Sequence, residues 1–461
     1  CTTTPKLGHR NRSCRKFEMS VGIEAMFTAA LGLQRPWEVA KVELNTVKHR
    51  IDFDLVCNAR KLTCPHCGVV DQGIHDRVNK EWRHLDFFQF EAWLHASVPR
   101  VSCTACGKTT QVEVPWAREG SGFTLLFEAL ALSLCKELPV AHAANHMRTT
   151  AKRLWRRIKH FVGEARKLDD MSGVRLIGID ETSVKKGHQY ITVVHDLEQK
   201  RLLFGTAGKD HSCVHAFTKD MAAHGGKPEA IEHVCMDMSA PFAKGVREAM
   251  PHAVISYDRF HVVALANHAM DEVRRAEMKD EGEHVRCVMT GGNPKDKRTL
   301  KSLLWGMRKN PSGWSKEQSH CMHRLQRSTL KSARAWRLKM AVREVYAQAR
   351  ETNDADIATK SLQTWLSWAK RSRLEPFKKL ARTIQAHLGG VLRGMLDGRS
   401  NAYVEAMNGL LQQAKTAARG FRTVENFLAI AYLRMSKLKH LPTNPLAPAI
   451  DRDFGVVVHR L

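Results

Sequence analysis

The stretch Val174-Arg175-Leu176-Ile177-Gly178-Ile179-Asp180-Glu181 is the most informative part of the chain, because an apolar run of strand length ends in a carboxylate. The stretch His233-Val234-Cys235-Met236-Asp237-Met238 repeats this arrangement. A third carboxylate, Glu405, lies in Asn401-Ala402-Tyr403-Val404-Glu405-Ala406-Met407-Asn408, which has a helical pattern. Two aspartates at strand ends and a later helical glutamate predict a site that gathers oxygen ligands around Mg²⁺ or Mn²⁺.

The pattern around Asp180 predicts an α/β fold. We expect strands at 174–180, 189–196 and 201–208, a helix at 214–224, a strand at 232–237, a helix at 241–250, a strand at 253–258 and a helix from Phe260. This β-β-β-α-β-α-β-α order is that of a ribonuclease H-like domain, whose central strand and its neighbour present carboxylates at adjacent ends. Residues 262–399 have a basic, helical pattern, which predicts a large α-helical insertion before the helix of Glu405.

Several acidic residues compete for places in this site. Asp258 ends the next strand and rivals Asp237, but the strand order favours Asp237 as the second carboxylate. With His261 it forms Asp-x-x-His, and this pair is expected to contact substrate or to orient the nucleophile or leaving group. The alternative is a helix cap followed by a packed histidine. Glu181 points to the opposite side of its strand from Asp180.

The third carboxylate also has a rival. Glu405 shares one polar helix face with Asn408, Gln412 and Lys415, which suits a helix packed against the sheet. Glu425 is the weaker choice, because its surroundings resemble the start of a capped helix.

Charge identifies the class of partner. The chain has 461 residues, about three domains' worth, with 73 Lys+Arg against 47 Asp+Glu and a formal charge of +26. Such an excess predicts a nucleic-acid partner, and the alternative is a merely basic or ribosome-associated protein. No apolar run is long enough for a membrane span, and the first residues lack a signal-peptide core. We expect residues 1–18 to be an upstream or alternative start before Met19.

Two Cys-x-x-Cys-Gly motifs predict structural zinc. They are Cys64-Pro65-His66-Cys67-Gly68 and Cys103-Thr104-Ala105-Cys106-Gly107. Four thiolates make a closed tetrahedral site, and a strand-like pattern over 82–98 would bring the two motifs together. The alternative is a redox dithiol, and His66 and His84 are expected to be bystanders. The other eight cysteines are scattered, which is typical of reduced thiols in a cytoplasmic protein.

Residues 121–165 predict a helix-turn-helix. The first helix is expected to open with residues 123–127, capped by Ser121 or Thr124. A short second helix is expected at 138–144 and a third at 151–162, with the turn and cap at 148–150. The last helix would enter the major groove of DNA. Its basic residues are the predicted DNA contacts: Lys152, Arg153, Arg156, Arg157 and Lys159. The alternative is an amphipathic helix with an ordinary solvated basic face.

Together these motifs resemble the ISL3 family of bacterial insertion-sequence DDE transposases, from about Met19 to about His440. The resemblance also rests on Tyr257-Asp258-Arg259-Phe260-His261-Val262-Val263 and on residues 401–427 with their Gly420-Phe421-Arg422 turn. It implies Mg-dependent cleavage and strand transfer at the ends of a mobile element, with Asp180, Asp237 and Glu405 as the catalytic triad. It requires no covalent protein nucleophile, unlike tyrosine or serine recombinases.

The resemblance also implies a series of domains with different functions along the chain. The expected parts are a zinc module at 19–118, a helix-turn-helix domain at 119–168, a ribonuclease H-like core at 172–261 and 400–440, an α-helical insertion at 262–399 and a tail at 441–461. Double-stranded DNA and a second copy of the chain are the expected partners, in a cytoplasmic, nucleoid-associated setting. The alternatives are a DNA-binding regulator with an inactive core and a nuclease or resolvase without strand transfer.

Overall fold

The computed structural model of the protein describes residues 22–185, 189–396 and 402–445. Within these ranges the chain divides into two compact units, one that contains residues 22–135 with 442–445 and one that contains residues 136–441. No helix in the described ranges combines the length and apolarity needed to cross a membrane.

The first unit is built on a six-stranded sheet. After helix α1 (Ile23–Ala30) the strands are β1 (Trp37–Asn45), β2 (Arg50–Cys57), β3 (Lys61–Leu62), β4 (Gln72–Arg83), β5 (Glu91–Ser102) and β6 (Thr109–Gln111). They lie in the order β1-β2-β5-β4-β3, with β6 paired to β5. Side chains of β5 alternate between buried and half-buried, so one face of the sheet closes a core with Phe53 and Trp82. Helix α2 (Leu125–Glu137) ends at the division between the units.

The second unit begins with two helices, α3 (Val140–His146) and α4 (Ala151–Lys167). Thr150 ends the intervening turn and caps α4, since its side chain accepts a hydrogen bond from the N–H of Arg153. The predicted cap is therefore confirmed. The buried positions Leu154, Ile158 and Val162 recur at four-residue steps and form the packing stripe of α4.

A five-stranded sheet forms the centre of this unit. Its strands are β7 (Leu176–Lys185), β8 (Gln189–Asp196), β9 (Arg201–Ala207), β10 (His233–Met236) and β11 (Val254–Tyr257). They lie in the order β11-β10-β7-β8-β9. Strands β7, β8 and β9 pair antiparallel, whereas β10 pairs parallel with both β7 and β11. Helices α5 (His211–Ala223) and α6 (Ala240–Ala249) provide the crossovers, so the predicted element order is confirmed.

One strand boundary was wrong. The sequence predicted that the first strand ends at Asp180, but β7 continues to Lys185 because its second half pairs with β8. Only the parallel pairing with β10 ends beside Asp180, at Ile179. Asp180 is therefore held between two strands in the interior of β7, and it is largely buried.

The segment after β11 is helical throughout its described part, as predicted. Its helices are α7 (Arg259–Asp280), α8 (Gly282–Thr290), α9 (Lys297–Arg308), α10 (Lys316–Arg327), α11 (Lys331–Thr352), α12 (Ala355–Arg371), α13 (Glu375–Ala386) and α14 (Leu388–Leu396). Their buried faces share one core with the sheet. The chain then returns to the sheet as α15 (Ala402–Ala417), against β7, and α16 (Val424–Met435), against β9 and α4.

Candidate functional site

Three aspartates lie at one level of the parallel half of the sheet. Met236 pairs with Ile179 on one side and with Tyr257 on the other. The next residue of each strand is therefore in the same row, and these residues are Asp180, Asp237 and Asp258. Residues in register on parallel strands point to the same face, at strand spacings of about 4.8 Å. This row explains why both strand-end aspartates of the sequence, and the rival Asp258, belong to a single site.

Helix α7 adds an imidazole to the row. Asp258 is fully buried and caps α7, since its carboxylate accepts a 2.9 Å hydrogen bond from the N–H of Phe260. His261 follows in the first turn, contacts Asp237 and lies 3.7 Å from Glu405 Oε1 through its Nε2. The predicted alternative of a helix cap is thus present, but the histidine it positions faces the carboxylates.

The ligand atoms form two overlapping groups. Asp180, Asp237 and His261 offer atoms within 4.8 Å of one another, and so do Asp258, His261 and Glu405. Asp180 and Glu405 belong to different groups, which His261 joins. The structure therefore brings all five predicted catalytic and auxiliary residues together, with His261 shared by both groups.

Helix α15 reaches β7 through its polar face. Asn408 Nδ2 donates a 2.7 Å hydrogen bond to Asp180 Oδ2. One turn on, Gln412 donates to the Thr182 hydroxyl at 2.7 Å and to the Ser183 carbonyl at 2.9 Å. The sequence identified this face but not these contacts, and Asn408 is the functional neighbour that it missed. Only the three-residue spacing of Asn408 from Glu405 hinted at it.

Burial and mutual repulsion set the charge of the carboxylates. Burial, followed by the charge of Asp237, raises the pKa of Asp180 to about 7. The pKa of Glu405 is also raised, mainly by burial and then by Asp258. Burial opposes the charged form of His261, but contact with Asp237 and the surrounding aspartates outweigh it and raise the histidine's pKa. Such a cluster favours a bound cation, which removes the repulsion.

The donor set fits a divalent metal. Asp237 Oδ1 and His261 Nε2 form an ion pair, and Asp180 and Glu405 bring further carboxylate oxygens to the same histidine. Several carboxylates that share one partly buried site repel one another unless cations neutralise them. Carboxylate oxygens suit Mg²⁺ and Mn²⁺, whereas imidazole is the less suitable ligand for Mg²⁺.

Two acidic residues lie elsewhere. Glu181 is turned towards Lys209, whose Nζ is 3.9 Å away. Glu425 pairs with Lys159 of α4 at 3.2 Å. Neither belongs to the two groups of possible metal ligands, in line with the preference for Asp180 and Glu405.

The four cysteines of the paired motifs also converge. Cys64 Sγ lies 3.9 Å from Cys106 Sγ, and Cys67 Sγ lies 3.4 Å from Cys103 Sγ. Tetrahedral Zn²⁺ with 2.3 Å bonds needs sulfurs about 3.8 Å apart. Gly68 and Gly107 have φ of 75° and 68°, which a glycine adopts easily and which lets each motif fold around its metal. The long hairpin β4–β5 closes the 35-residue gap, so this cluster supports structural zinc.

The histidines near this site have other partners. His66 contacts Lys108 Nζ at 2.6 Å, and His84 contacts the Thr124 hydroxyl at 2.9 Å. Neither belongs to the four-cysteine group. Among the described residues the cysteines are all free thiols. Cys1 and Cys14, like residues 1–18 as a whole, lie outside the described part of the chain.

The basic residues of α4 differ in exposure. Lys152, Arg156 and Lys159 are exposed and recur at steps of four and three, so they share one face. Arg153 and Arg157 are only half-exposed, and each already makes an interaction within the protein. Of the exposed three, Lys159 already pairs with Glu425, so Lys152 and Arg156 are the better candidates for DNA contacts.

Comparison with known proteins agrees with these features. A transposase model of the ISL3 type matches residues 177–431, a helix-turn-helix model of transposase family ISL3 matches 112–162, and a zinc-finger model of transposases IS204/IS1001/IS1096/IS1165 matches 60–106. The transposase for insertion sequence element IS1557 of Mycobacterium tuberculosis is 30% identical over 446 residues, covering 91% of this chain and 97% of the relative. The transposase for IS1001 of Bordetella parapertussis is 23% identical over 374 residues, covering 80% and 87%. The chain belongs to the ISL3 family of transposases.

Proposed function

We propose that the protein binds the ends of an insertion sequence and catalyses Mg-dependent cleavage and strand transfer of DNA. The row of Asp180, Asp237 and Asp258, facing Glu405 on α15, carries this proposal. We further propose that the five-stranded sheet, with its order β11-β10-β7-β8-β9, is a ribonuclease H-like core. Binding two ends at once implies a homo-oligomer, and the DNA partner implies a cytoplasmic, nucleoid-associated protein.

Asp180, Asp237 and Glu405 would hold the metal, which supplies charge stabilisation for the attacking and leaving oxygens of an in-line displacement. The residues of the chain keep these carboxylates in place. Asn408 fixes one oxygen of Asp180, and the backbone N–H of Glu181 fixes the other at 2.7 Å. Asp258 positions His261, and His261 in turn holds Asp237 and Glu405 against one another.

The remaining parts bind substrate or support the fold. We propose that Lys152, Arg156 and Lys159, with Arg153 and Arg157 behind them, place α4 on the terminal sequence. Zinc bound by Cys64, Cys67, Cys103 and Cys106 stabilises the N-terminal sheet. We also propose the domain limits expected from the sequence, in which the insertion at 262–399 separates the two parts of the core.

The central experiment compares Asp180→Asn with Glu181→Gln. Both substitutions remove one carboxylate charge from neighbouring positions, but only Asp180 belongs to the group of ligand atoms. Asp180→Asn should retain binding to terminal DNA and lose cleavage and joining, whereas Glu181→Gln should keep both. Cleavage that survives in Asp180→Asn would refute the metal site, and binding without any cleavage in the unmodified protein would favour a DNA-binding regulator. Cleavage without joined products would favour a nuclease or resolvase.

A second pair of variants decides between Asp237 and Asp258. Asp258→Ser keeps a side chain that caps α7, so it should retain part of the cleavage activity. Asp237→Ser removes the carboxylate that contacts His261 and lies in the same group as Asp180, and it should abolish cleavage. The reverse order of activities would assign the second catalytic position to Asp258.

A further inference from the structure

A cleft on the α-helical insertion has the composition of a nucleotide-binding site. It encloses a cavity of about 300 Å³ between α11, α12 and the turn that follows α12. Its lining includes four arginines and one tryptophan: Arg334, Arg337, Arg371, Arg373 and Trp368. Leu338 forms a buried floor.

The four arginines carry an uncompensated charge. All four are exposed, and within the described part of the chain none has a carboxylate within 4 Å. Their protein contacts are weak hydrogen bonds to carbonyls: Arg334 donates to Ser372 O at 3.5 Å and Arg371 to Ser367 O at 3.3 Å. The negative end of α12 stabilises some of this charge, but a helix end offers only about half a charge. Four guanidinium groups around one cavity therefore favour the binding of an anionic ligand.

Trp368 supplies an aromatic surface within the same cleft. It is 42% exposed, whereas Trp365 of the same helix is 2% exposed and donates a hydrogen bond to Leu338 O. The chain thus places one indole in the core and leaves the next one open beside the arginines. Cations together with an open indole bind the phosphates and the base of a nucleotide at once.

The cleft lies on α11 and α12, and α11 packs along α7, the helix that carries His261. Glu277, near the end of α7, accepts hydrogen bonds from the first residues of α11, and the charge of Asp258 at the start of α7 acts on Tyr346. Helices α7 and α11 are therefore antiparallel. Arg334 and Arg337 precede Tyr346 by 12 and 9 residues, which is roughly 14 to 18 Å along the helix axis at 1.5 Å per residue. A DNA strand bound at the carboxylates would therefore need several nucleotides to span the distance to the cleft.

We propose that this cleft, defined by Arg334, Arg337, Arg371, Arg373 and Trp368, binds unpaired nucleotides of a DNA strand. The arginines hold the phosphates, and the indole of Trp368 stacks on a base. A base in duplex DNA is already stacked on both sides, so the indole selects a strand that has been opened. This inference rests on the proposed function for the identity of its ligand, since it assumes that the chain handles DNA.

The test measures binding of the full chain to a single-stranded oligonucleotide and to a blunt duplex of equal length. Trp368→Ala should weaken single-strand binding at least fivefold, as expected for one lost stacking contact, and should change duplex binding little. Trp305→Ala is the matched control, because Trp305 is 50% exposed on α9 outside the cleft. A 2-aminopurine base in the strand should lose its stacking-dependent fluorescence change in Trp368→Ala only.

The arginines are tested with Arg337→Ala/Arg373→Gly. Arg373 has a φ of 58°, a conformation that glycine adopts readily, so its replacement leaves the turn intact. The double variant should lower the salt dependence of single-strand binding by about 1.4, at about 0.7 per phosphate contact. The control is Lys378→Ala/Arg382→Ala, which removes two cations already paired with Glu375.

Each outcome separates the cleft from the proposed function. Cleft variants that bind single strands as tightly as the two controls would overturn the inference. An equal loss on duplex and single strands would also overturn it, because no base would then be recognised. Selective loss in the cleft variants supports it. If the unmodified protein binds single strands but never cleaves DNA, and the cleft variants show the selective loss of binding, the inference stands and the proposed catalytic function fails.

Discussion

Removing the amide of Asn408 should make catalysis more dependent on metal concentration and on pH. In the native site Asn408 donates a hydrogen bond to Asp180, whose pKa is raised to about 7 by burial and by Asp237. The proposed metal would bind the deprotonated carboxylate, so its binding should weaken as the pH falls through this pKa. A hydrogen bond to a charged group contributes about 1.5 kcal/mol or more, which is about one pKa unit.

In Asn408→Ala the pKa of Asp180 should therefore rise to about 8. At pH 7 the charged fraction of Asp180 without metal then falls from about one half to about one tenth, a loss of roughly fivefold. Cleavage of terminal DNA at limiting Mg²⁺ should fall by this factor, and its acid limb should move up by about one pH unit. Saturating Mg²⁺ or pH 8.5 should restore most of the activity.

Gln412→Ala provides the matched control. Gln412 lies one turn further along α15 and bonds to Thr182 and Ser183, not to a ligand carboxylate. It should lower stability without changing the Mg²⁺ dependence. The reasoning is refuted if Asn408→Ala has the same Mg²⁺ and pH dependence as the unmodified protein, or if Gln412→Ala shifts them equally.

Three further predictions concern metal, DNA and stability. Cys103→Ala should release zinc, measured by elemental analysis, and loosen the N-terminal sheet, whereas Cys57→Ala, a buried thiol outside the cluster, should retain the metal. Lys152→Ala/Arg156→Ala should weaken terminal DNA binding and lower its salt slope by about two; an unchanged slope contradicts a role for this helix face. Burial lowers the pKa of Lys339 from 10.5 to about 8 in the folded protein. Between these two values the unfolded chain binds the proton more tightly than the folded one, so the free energy of unfolding should rise as the pH increases from 8 towards 10.5. The rise is at most about 3 kcal/mol, and urea unfolding should show it in the unmodified protein but not in Lys339→Met.

The sequence predicted the sheet well because its strands are buried apolar runs with clear ends. The order of elements and the convergence of Asp180 and Asp237 follow from local pattern together with the rule that parallel strands end at one edge. The continuation of β7 past Asp180 was not predicted, since residues 181–185 are polar except for Val184 and are held in the strand by pairing with β8. Local pattern carries no information about such a partner.

The other features that the sequence did not predict also depend on contacts between distant parts of the chain. Asn408 was placed on the correct face of its helix, but its bond to Asp180 depends on how a helix 228 residues away in sequence packs against β7. The difference in exposure between Arg153 and Arg156 depends on the neighbours of α4, which the sequence does not name. The register row that includes Asp258 follows from two strand pairings, and these were visible only in the structure.

The place of Glu405 in the chain has a consequence for how the protein is made. Asp180, Asp237, Asp258 and His261 emerge early during synthesis, but Glu405 follows Asp237 by 168 residues (405 − 237). At 5 to 20 residues per second a ribosome needs roughly 8 to 34 s to make that interval. A nascent or prematurely terminated chain therefore holds the aspartate row without its glutamate. Under the proposed function such a chain lacks one of its three catalytic carboxylates, so DNA cleavage would begin only after nearly the whole polypeptide has been made.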